Sequence, residues 1–143
     1  MILVDANILL YAYHPRSEHH ETCRVWLETA FSGAMPVRLA WISIQAFLRL
    51  STHLRVFENP LSMREAIDRV SEWLSAPAVA ILEPGERYWD ILSRLLVAAQ
   101  ITGPLVTDAS LAALALEHGA TVATTDRDFT RFEQLRIFNP LST

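Results

Sequence analysis

The sequence predicts an α/β sandwich built on a mainly parallel sheet of about five strands. Short apolar runs alternate with segments in which apolar residues recur at helical spacing. Such alternation favours parallel strands joined by helical crossovers. The 143 residues amount to one domain's length, 51% of them are hydrophobic, and no Gly/Ser-rich or Pro-rich linker divides them. We therefore predict a single domain over residues 1–143.

Five apolar runs are the predicted strands of this sheet. They are short, they are bounded by polar or turn-forming residues, and a helical pattern separates most of them from the next. In chain order they are residues 1–4, 37–42, 78–82, 121–123 and 136–138.

Helices are predicted between the strands because apolar residues recur every three or four positions and capping residues mark the ends. In chain order they cover residues 7–13, 23–30, 43–54, 62–76, 86–101 and 108–118, and a helical turn is predicted at 128–132. Ser43 is the expected cap of the third helix, and Ser62 with Glu65 forms a capping-box pattern for the fourth. Gly119 is the expected C-cap of the sixth helix, which is apolar almost all round.

Composition and charge disfavour several classes of function. The net charge of −4 argues against a protein held to nucleic acid by a bulk positive field. All twelve basic residues are arginine, which disfavours phospho-acceptor domains and D-x-D phosphatases, because both require a lysine. Cys23 is the only cysteine, so no internal disulfide forms. The apolar start of the chain lacks a basic leader and is too short to span a bilayer, so we expect a cytoplasmic protein without a membrane partner.

Four of the six aspartates follow apolar, strand-like segments. Asp5 follows the first strand, Asp108 follows a short apolar segment, and Asp126 and Asp128 follow the fourth strand. In open parallel sheets, ligands bind at the carboxyl ends of the strands, where the strand order reverses. Each aspartate also has a structural interpretation: Asp108 as a helix N-cap, and the others as caps or hydrogen-bonded residues of a strand end or turn.

Convergence of these carboxylates would indicate a metal site. Several ionised carboxylates within a few ångströms repel one another unless a cation binds between them. Oxygen ligands without His or Cys favour Mg²⁺ or Mn²⁺. One or two such ions activate water and clamp a phosphodiester, which predicts metal-assisted phosphodiester hydrolysis. Asn7 and Thr125 are candidates to hold waters or carboxylates in place.

Three stretches of the chain resemble the PIN domain, and in particular the VapC toxins of bacterial toxin–antitoxin pairs in the branch abundant in mycobacteria. They read "ILVDANILLYA", "FLRLST" and "LVTDASLAALALEHGATVATTDRDFTRF", and the resemblance covers essentially the whole chain. It implies a three-layer α/β/α fold, cleavage of structured RNA such as tRNA or rRNA, Mg²⁺ or Mn²⁺, a cognate antitoxin and a homodimer. By position, the family's catalytic, metal-binding acids match Asp5, Asp108, Asp126 and Asp128.

The sequence departs from this family at one position. Many PIN domains carry a further acid early in the third helix, whereas residues 43–47 contain none and offer only the amide of Gln45. We expect a second metal to be bound weakly or delivered with the RNA. The alternative is a PIN-like module that binds RNA or an antitoxin without cutting.

Four arginines are candidates to hold RNA phosphates beside the acids. They are Arg49, Arg55, Arg127 and Arg131. Solvation, or pairing with nearby acids, is an equally valid interpretation of each.

Overall fold

A computed structural model describes residues 1–142 and contains a five-stranded, fully parallel sheet. The strands are β1 (Ile2–Val4), β2 (Val37–Leu39), β3 (Val79–Ile81), β4 (Thr121–Ala123) and β5 (Ile137–Phe138). Their order across the sheet is β3-β2-β1-β4-β5. The α/β fold predicted from the sequence is confirmed.

Six α-helices and one 3₁₀ helix connect these strands. They are α1 (Ala6–Ala12), α2 (His20–Ser32), α3 (Trp41–Ser51), α4 (Met63–Ser75), α5 (Tyr88–Ala98), α6 (Leu105–His118) and the 3₁₀ helix Arg127–Arg131. Ser62 and Glu65 form the predicted capping box at the start of α4, with each side chain accepting the other's backbone N–H at 3.1 Å. Gly119 ends α6 with a φ of 69°, a left-handed conformation that glycine adopts without strain.

Two predicted helix starts are wrong. Helix α3 begins at Trp41 after Ala40, so Ser43 lies buried in the first turn and does not cap the helix. Helix α6 begins at Leu105 after Pro104, whose ring fixes a helical φ of −60° at that point. Asp108 therefore lies in the first turn of α6, and its interpretation as the N-cap is also wrong.

Apolar cores fill both faces of the sheet. One core contains Phe47 and Trp73 and packs helices α1 to α4 against the sheet, while the other contains Phe129 and packs α5, α6 and the 3₁₀ helix. Strand β1 contributes to both, because side chains alternate along a strand and place Val4 in the first core and Leu3 in the second. The result is the three-layer α/β/α arrangement.

The order in which strands are added to the sheet reverses between β1 and β4, although the two strands run parallel. From β1 it continues outward through β2 and β3, and it then returns to the other side of β1 for β4 and β5. In the register of this central pair, Val4 lies beside Ala123, so the residues that follow both strands lie side by side. Such a switch point is where open parallel sheets bind ligands. Among residues 1–142, none of the helices combines the length and the apolar character needed to span a bilayer.

Candidate metal centre

Asp5 lies at the carboxyl end of β1, and two hydrogen bonds fix its carboxylate. Oδ1 accepts the Ala6 N–H at 2.7 Å as the N-cap of α1, and Oδ2 accepts the Thr124 hydroxyl at 2.8 Å. Burial raises the pKa of Asp5, and the charge of Asp126 raises it further, whereas the two hydrogen bonds act in the opposite direction. The carboxylate is therefore held in one orientation at the edge of the sheet.

The hydroxyl of Thr124 links the two central strands at their carboxyl ends. It donates to Asp5 Oδ2, and it accepts the Asp126 N–H at 3.0 Å and an Asn7 Nδ2–H at 3.4 Å. Thr124 is 1% exposed, so these bonds are shielded from competing water. One buried hydroxyl thus connects residues that follow β1 with residues that follow β4.

Asp126 and Asp128 lie at the start of the 3₁₀ helix. Asp126 is its N-cap, and its Oδ1 accepts the Asp128 N–H at 2.8 Å. The Asp128 carboxylate pairs with Arg131, whose Nη2 lies 3.2 Å from Oδ1, and the Arg131 Nε–H donates to the Asp128 carbonyl at 3.0 Å. Both aspartates are half-buried, and the hydrogen bond from the Asp128 backbone N–H to Asp126 holds them next to each other.

Asp108 completes the cluster from the first turn of α6. Asp108, Asp126 and Asp128 each offer a carboxylate oxygen, and these oxygens all lie within 4.8 Å of one another. Burial, followed by the charges of Asp126, Asp5 and Asp128, raises the pKa of Asp108 to about 6, against the opposing charge of Arg131. The structure thus groups Asp108, Asp126 and Asp128, and Asp5 lies outside this group but is joined to Asp126 through the Thr124 hydroxyl.

The residues present fit a divalent cation. The donor set consists of carboxylate oxygens, which hard cations such as Mg²⁺ and Mn²⁺ prefer. Asn7 Oδ1 is buried and has no hydrogen-bond donor among the described residues, although buried acceptors are normally satisfied. An unsatisfied acceptor close to mutually repelling carboxylates fits a site that a cation and its water would complete.

Two neutral residues that the sequence singled out form no hydrogen bond with the acids within the described residues. Thr124, and not Thr125, makes the hydrogen bonds to the Asp5 carboxylate and the Asp126 N–H, because Thr124 follows Ala123 in the register and so lies beside Asp5. Gln45 is exposed on α3, and within residues 1–142 no hydrogen bond joins it to the acids.

All four candidate arginines are exposed, and Arg131 contacts the acid cluster. Arg49 lies in the last turn of α3, Arg55 lies in the loop after it, and Arg127 opens the 3₁₀ helix. Across the described part of the chain, Arg131 is the one of the four whose side chain forms a hydrogen bond with an acid of the cluster. For Arg131, pairing with an acid is therefore what the structure shows.

Comparison with known proteins agrees with the resemblance seen in the sequence. The family model of the PIN domain matches residues 2–135. The chain is 46% identical over 140 residues to Ribonuclease VapC37 of Mycobacterium tuberculosis, covering 98% of this chain and 97% of that protein. It is also 37% identical over 141 residues to Ribonuclease VapC33 of the same species, covering 99% of both.

Solved structures share the fold at lower identity. Mycobacterium tuberculosis VapC20, described as a sarcin–ricin loop cleaving toxin, superimposes with a TM-score of 0.69 at 17% identity and covers 95% of this chain and 99% of its own. VapBC2 from Rickettsia felis, solved with a DNA fragment from its promoter, gives a TM-score of 0.70 at 19% identity, with 97% and 98% covered. These structures share the fold, and the family model and the matching relatives show that the chain belongs to the PIN domain family and, within it, to the VapC ribonucleases.

Proposed function

We propose that this protein is a Mg²⁺- or Mn²⁺-dependent endoribonuclease that hydrolyses phosphodiester bonds in structured RNA and is the toxin of a type II toxin–antitoxin pair. The observation that carries the proposal is the cluster of Asp108, Asp126 and Asp128 at the switch point of the sheet, whose carboxylate oxygens lie within 4.8 Å of one another. Asp5 is joined to Asp126 beside this cluster through the Thr124 hydroxyl. The relatives named Ribonuclease VapC supply the reaction class.

The catalytic residues and metal ligands in this proposal are Asp5, Asp108, Asp126 and Asp128, which hold one or two ions. A divalent cation bound there supplies Lewis-acid activation of water and neutralises charge on the phosphate. Thr124 keeps the Asp5 carboxylate and the Asp126 backbone in a fixed relation, so these two acids are oriented before RNA arrives.

Exposed arginines beside the cluster bind the RNA backbone in this mechanism. Arg127 precedes Asp128 in the chain and is exposed, Arg131 pairs with Asp128, and guanidinium N–H groups donate well to phosphate oxygens. Arg49 and Arg55 lie exposed in and after α3 and extend this set of candidate phosphate contacts. The phosphate contacts position the strand without selecting its sequence.

A cognate antitoxin and a second copy of the chain are the proposed protein partners. VapBC-1 from nontypeable Haemophilus influenzae, which shares this fold with a TM-score of 0.70, is one of the toxin–antitoxin structures that support an antitoxin. Trp41 and Trp89 are exposed apolar side chains, 48% and 70% accessible, that are available for protein contacts. Light scattering after size exclusion measures whether the purified chain is a dimer. We place its action in the cytoplasm, where structured RNA substrates occur.

Cleavage assays with defined metals test the proposed activity. We expect the purified protein to cut tRNA or rRNA in Mg²⁺ or Mn²⁺, to be inactive in EDTA, and to lose activity on Asp5→Ala. Co-purified antitoxin should inhibit the reaction. Absence of metal-dependent cleavage, together with harmless expression without antitoxin, would contradict the proposal.

The exposed Gln45 favours one alternative, a PIN-like module that binds RNA or an antitoxin without cutting. A neutral amide at that position leaves four acids for the metal site. Calorimetry separates the two functions, because a non-cutting module retains partner binding without measurable Mn²⁺ binding.

A further inference from the structure

A cavity of about 520 Å³ lies beside the acid cluster, between α5 and the segment that follows the 3₁₀ helix. Its volume falls in the range of about 300–1,000 Å³ that is typical of small-molecule sites. The residues that matter for its chemistry are Arg87, Arg94, Arg131, Ile91, Leu95 and Ala98. Of these, Arg131 alone has a role in the proposed mechanism.

The rim of the cavity is cationic in a chain that is anionic overall. Three arginines and two acids, Asp90 and Glu133, line it, which gives a formal charge of 3 − 2 = +1 against −4 for the whole chain. Arg94 pairs with Asp90 at 3.2 Å, and an Arg87 Nη2–H donates to the Glu117 carbonyl at 3.0 Å. A guanidinium carries five N–H donors, so both arginines keep donors that are free to bind an anionic ligand.

The floor of the cavity is apolar. Ile91, Leu95 and Ala98 share one face of α5 by their helical spacing, and Leu116 and Phe132 also line the cavity. Apolar side chains and arginines lining one cavity suit a nucleobase carrying a phosphate. The rim acids offer acceptors for the N–H groups at the base edge, which an acidic peptide would not use.

Arg131 connects this cavity to the metal centre. Its side chain lines the cavity, and its Nη2 lies 3.2 Å from the Asp128 carboxylate. An RNA strand that extends from the metal centre toward Arg131 would reach the cavity directly after the scissile phosphate. We propose that the cavity binds one ribonucleotide of the RNA substrate beside the cleaved phosphodiester, with its base on the apolar floor and its phosphate on Arg87 and Arg94. The proposal rests on the ribonuclease function.

Nucleotide binding is tested first without metal, so that cleavage plays no part. Adding 5′-AMP to the ¹⁵N-labelled full chain in EDTA should shift the backbone amide signals of residues 91–98 and 131–134, with saturation. Adenosine alone and inorganic phosphate alone should each bind at least about tenfold more weakly, because each lacks half of the recognised group. Arg94→Ala removes one positive charge from the cavity lining. Ala98→Trp places a bulky side chain in the cavity, and Ala98 is exposed, so the fold should accept the larger residue. Each variant should weaken AMP binding about tenfold.

Arg64→Ala is the matched control, because Arg64 is exposed on α4, on the other face of the sheet, and it should leave AMP binding unchanged. In cleavage assays, Ala98→Trp should raise the KM for RNA more than it changes kcat. Unchanged AMP binding in both cavity variants would overturn the proposal, as would signal shifts confined to other regions. Shifts at the cavity with an octaglutamate peptide but not with AMP would overturn it in favour of an acidic protein partner. If AMP binds as expected but the wild type cuts no RNA, the ribonuclease function fails and the nucleotide site stands.

Discussion

The two halves of the acid cluster are held in different ways. In the Thr124-linked half, Asp5 and Asp126 each accept a backbone N–H, and the buried hydroxyl of Thr124 joins them. In the open half, Asp128 has an exposed ion pair with Arg131, and the described residues provide no hydrogen bond to the Asp108 carboxylate. The difference teaches that the fold orients one half in advance, while in the other half the carboxylates repel one another and a bound cation would relieve that repulsion.

Substituting one acid from each half gives the largest expected effects. Asp5→Asn keeps the side-chain oxygen that caps α1 but removes a ligand charge, and metal activation is worth several kcal/mol, so RNA cleavage should fall about a thousandfold. Asp128→Asn should lose less, about 10–100-fold, because this residue lies on the open and more exposed side. Single-turnover cleavage in Mn²⁺ measures both.

Asp68→Asn is the control for these substitutions, because Asp68 is exposed on α4 and lies outside the cluster. It should leave cleavage unchanged. Equal losses for Asp5→Asn and Asp128→Asn would show that advance orientation of Asp5 contributes nothing to the rate.

Replacing the shared hydroxyl breaks the link within the first half. Thr124→Val keeps the shape of the side chain but leaves the Asp126 N–H and Asp5 Oδ2 without this partner, and loss of such supporting contacts typically costs about 10–100-fold in metal affinity or activity. The neighbouring substitution Thr125→Val should have little effect. Cleavage rates and Mn²⁺ titrations of both variants test the prediction, and equal behaviour of the two would contradict it.

The sequence singled out the four acids, whereas Thr124, which links Asp5 and Asp126 in the structure, was not among the residues it singled out. Asp5 and Asp126 were predictable because strand ends in a parallel sheet share one edge. Thr124 was missed in favour of Thr125 because a one-residue choice at a strand end depends on the register between β1 and β4, which is a tertiary property. The starts of α3 and α6 were misplaced for a similar reason, since helix ends depend on local backbone geometry and packing.

The open half should make stability depend on pH when no metal is present. The pKa of Asp108 is raised from 3.8 to about 6 in the folded protein, so the folded state binds this proton more tightly than the unfolded state. The associated stabilisation is complete below pH 3.8 and is lost as pH rises through about 6. Asp108→Asn cannot ionise at this position and so avoids the loss of stability. In EDTA above pH 6 the variant should therefore melt about 3 °C higher than the wild type.

Melting curves from pH 4 to pH 8 measure this difference, which should shrink toward pH 4. Added Mn²⁺ should reverse the order, because the wild type gains binding free energy that the variant lacks. A variant that melts below the wild type at pH 7 in EDTA would show that Asp108 stabilises the metal-free fold.

The smallest expected effect comes from removing the positive charge of Arg131, which pairs with Asp128 in the open half. Arg131 is exposed and pairs with Asp128, and exposed pairs contribute about 0.2–1 kcal/mol, so Arg131→Ala should tighten Mn²⁺ binding by about threefold. The same variant should bind RNA more weakly, because it loses a phosphate contact. Arg127→Ala is the control for the metal effect, since no hydrogen bond in the described chain joins its side chain to an acid. Calorimetry with Mn²⁺ measures the affinity, and weaker metal binding by Arg131→Ala would show that Arg131 orients Asp128 as a ligand and does not compete with the cation.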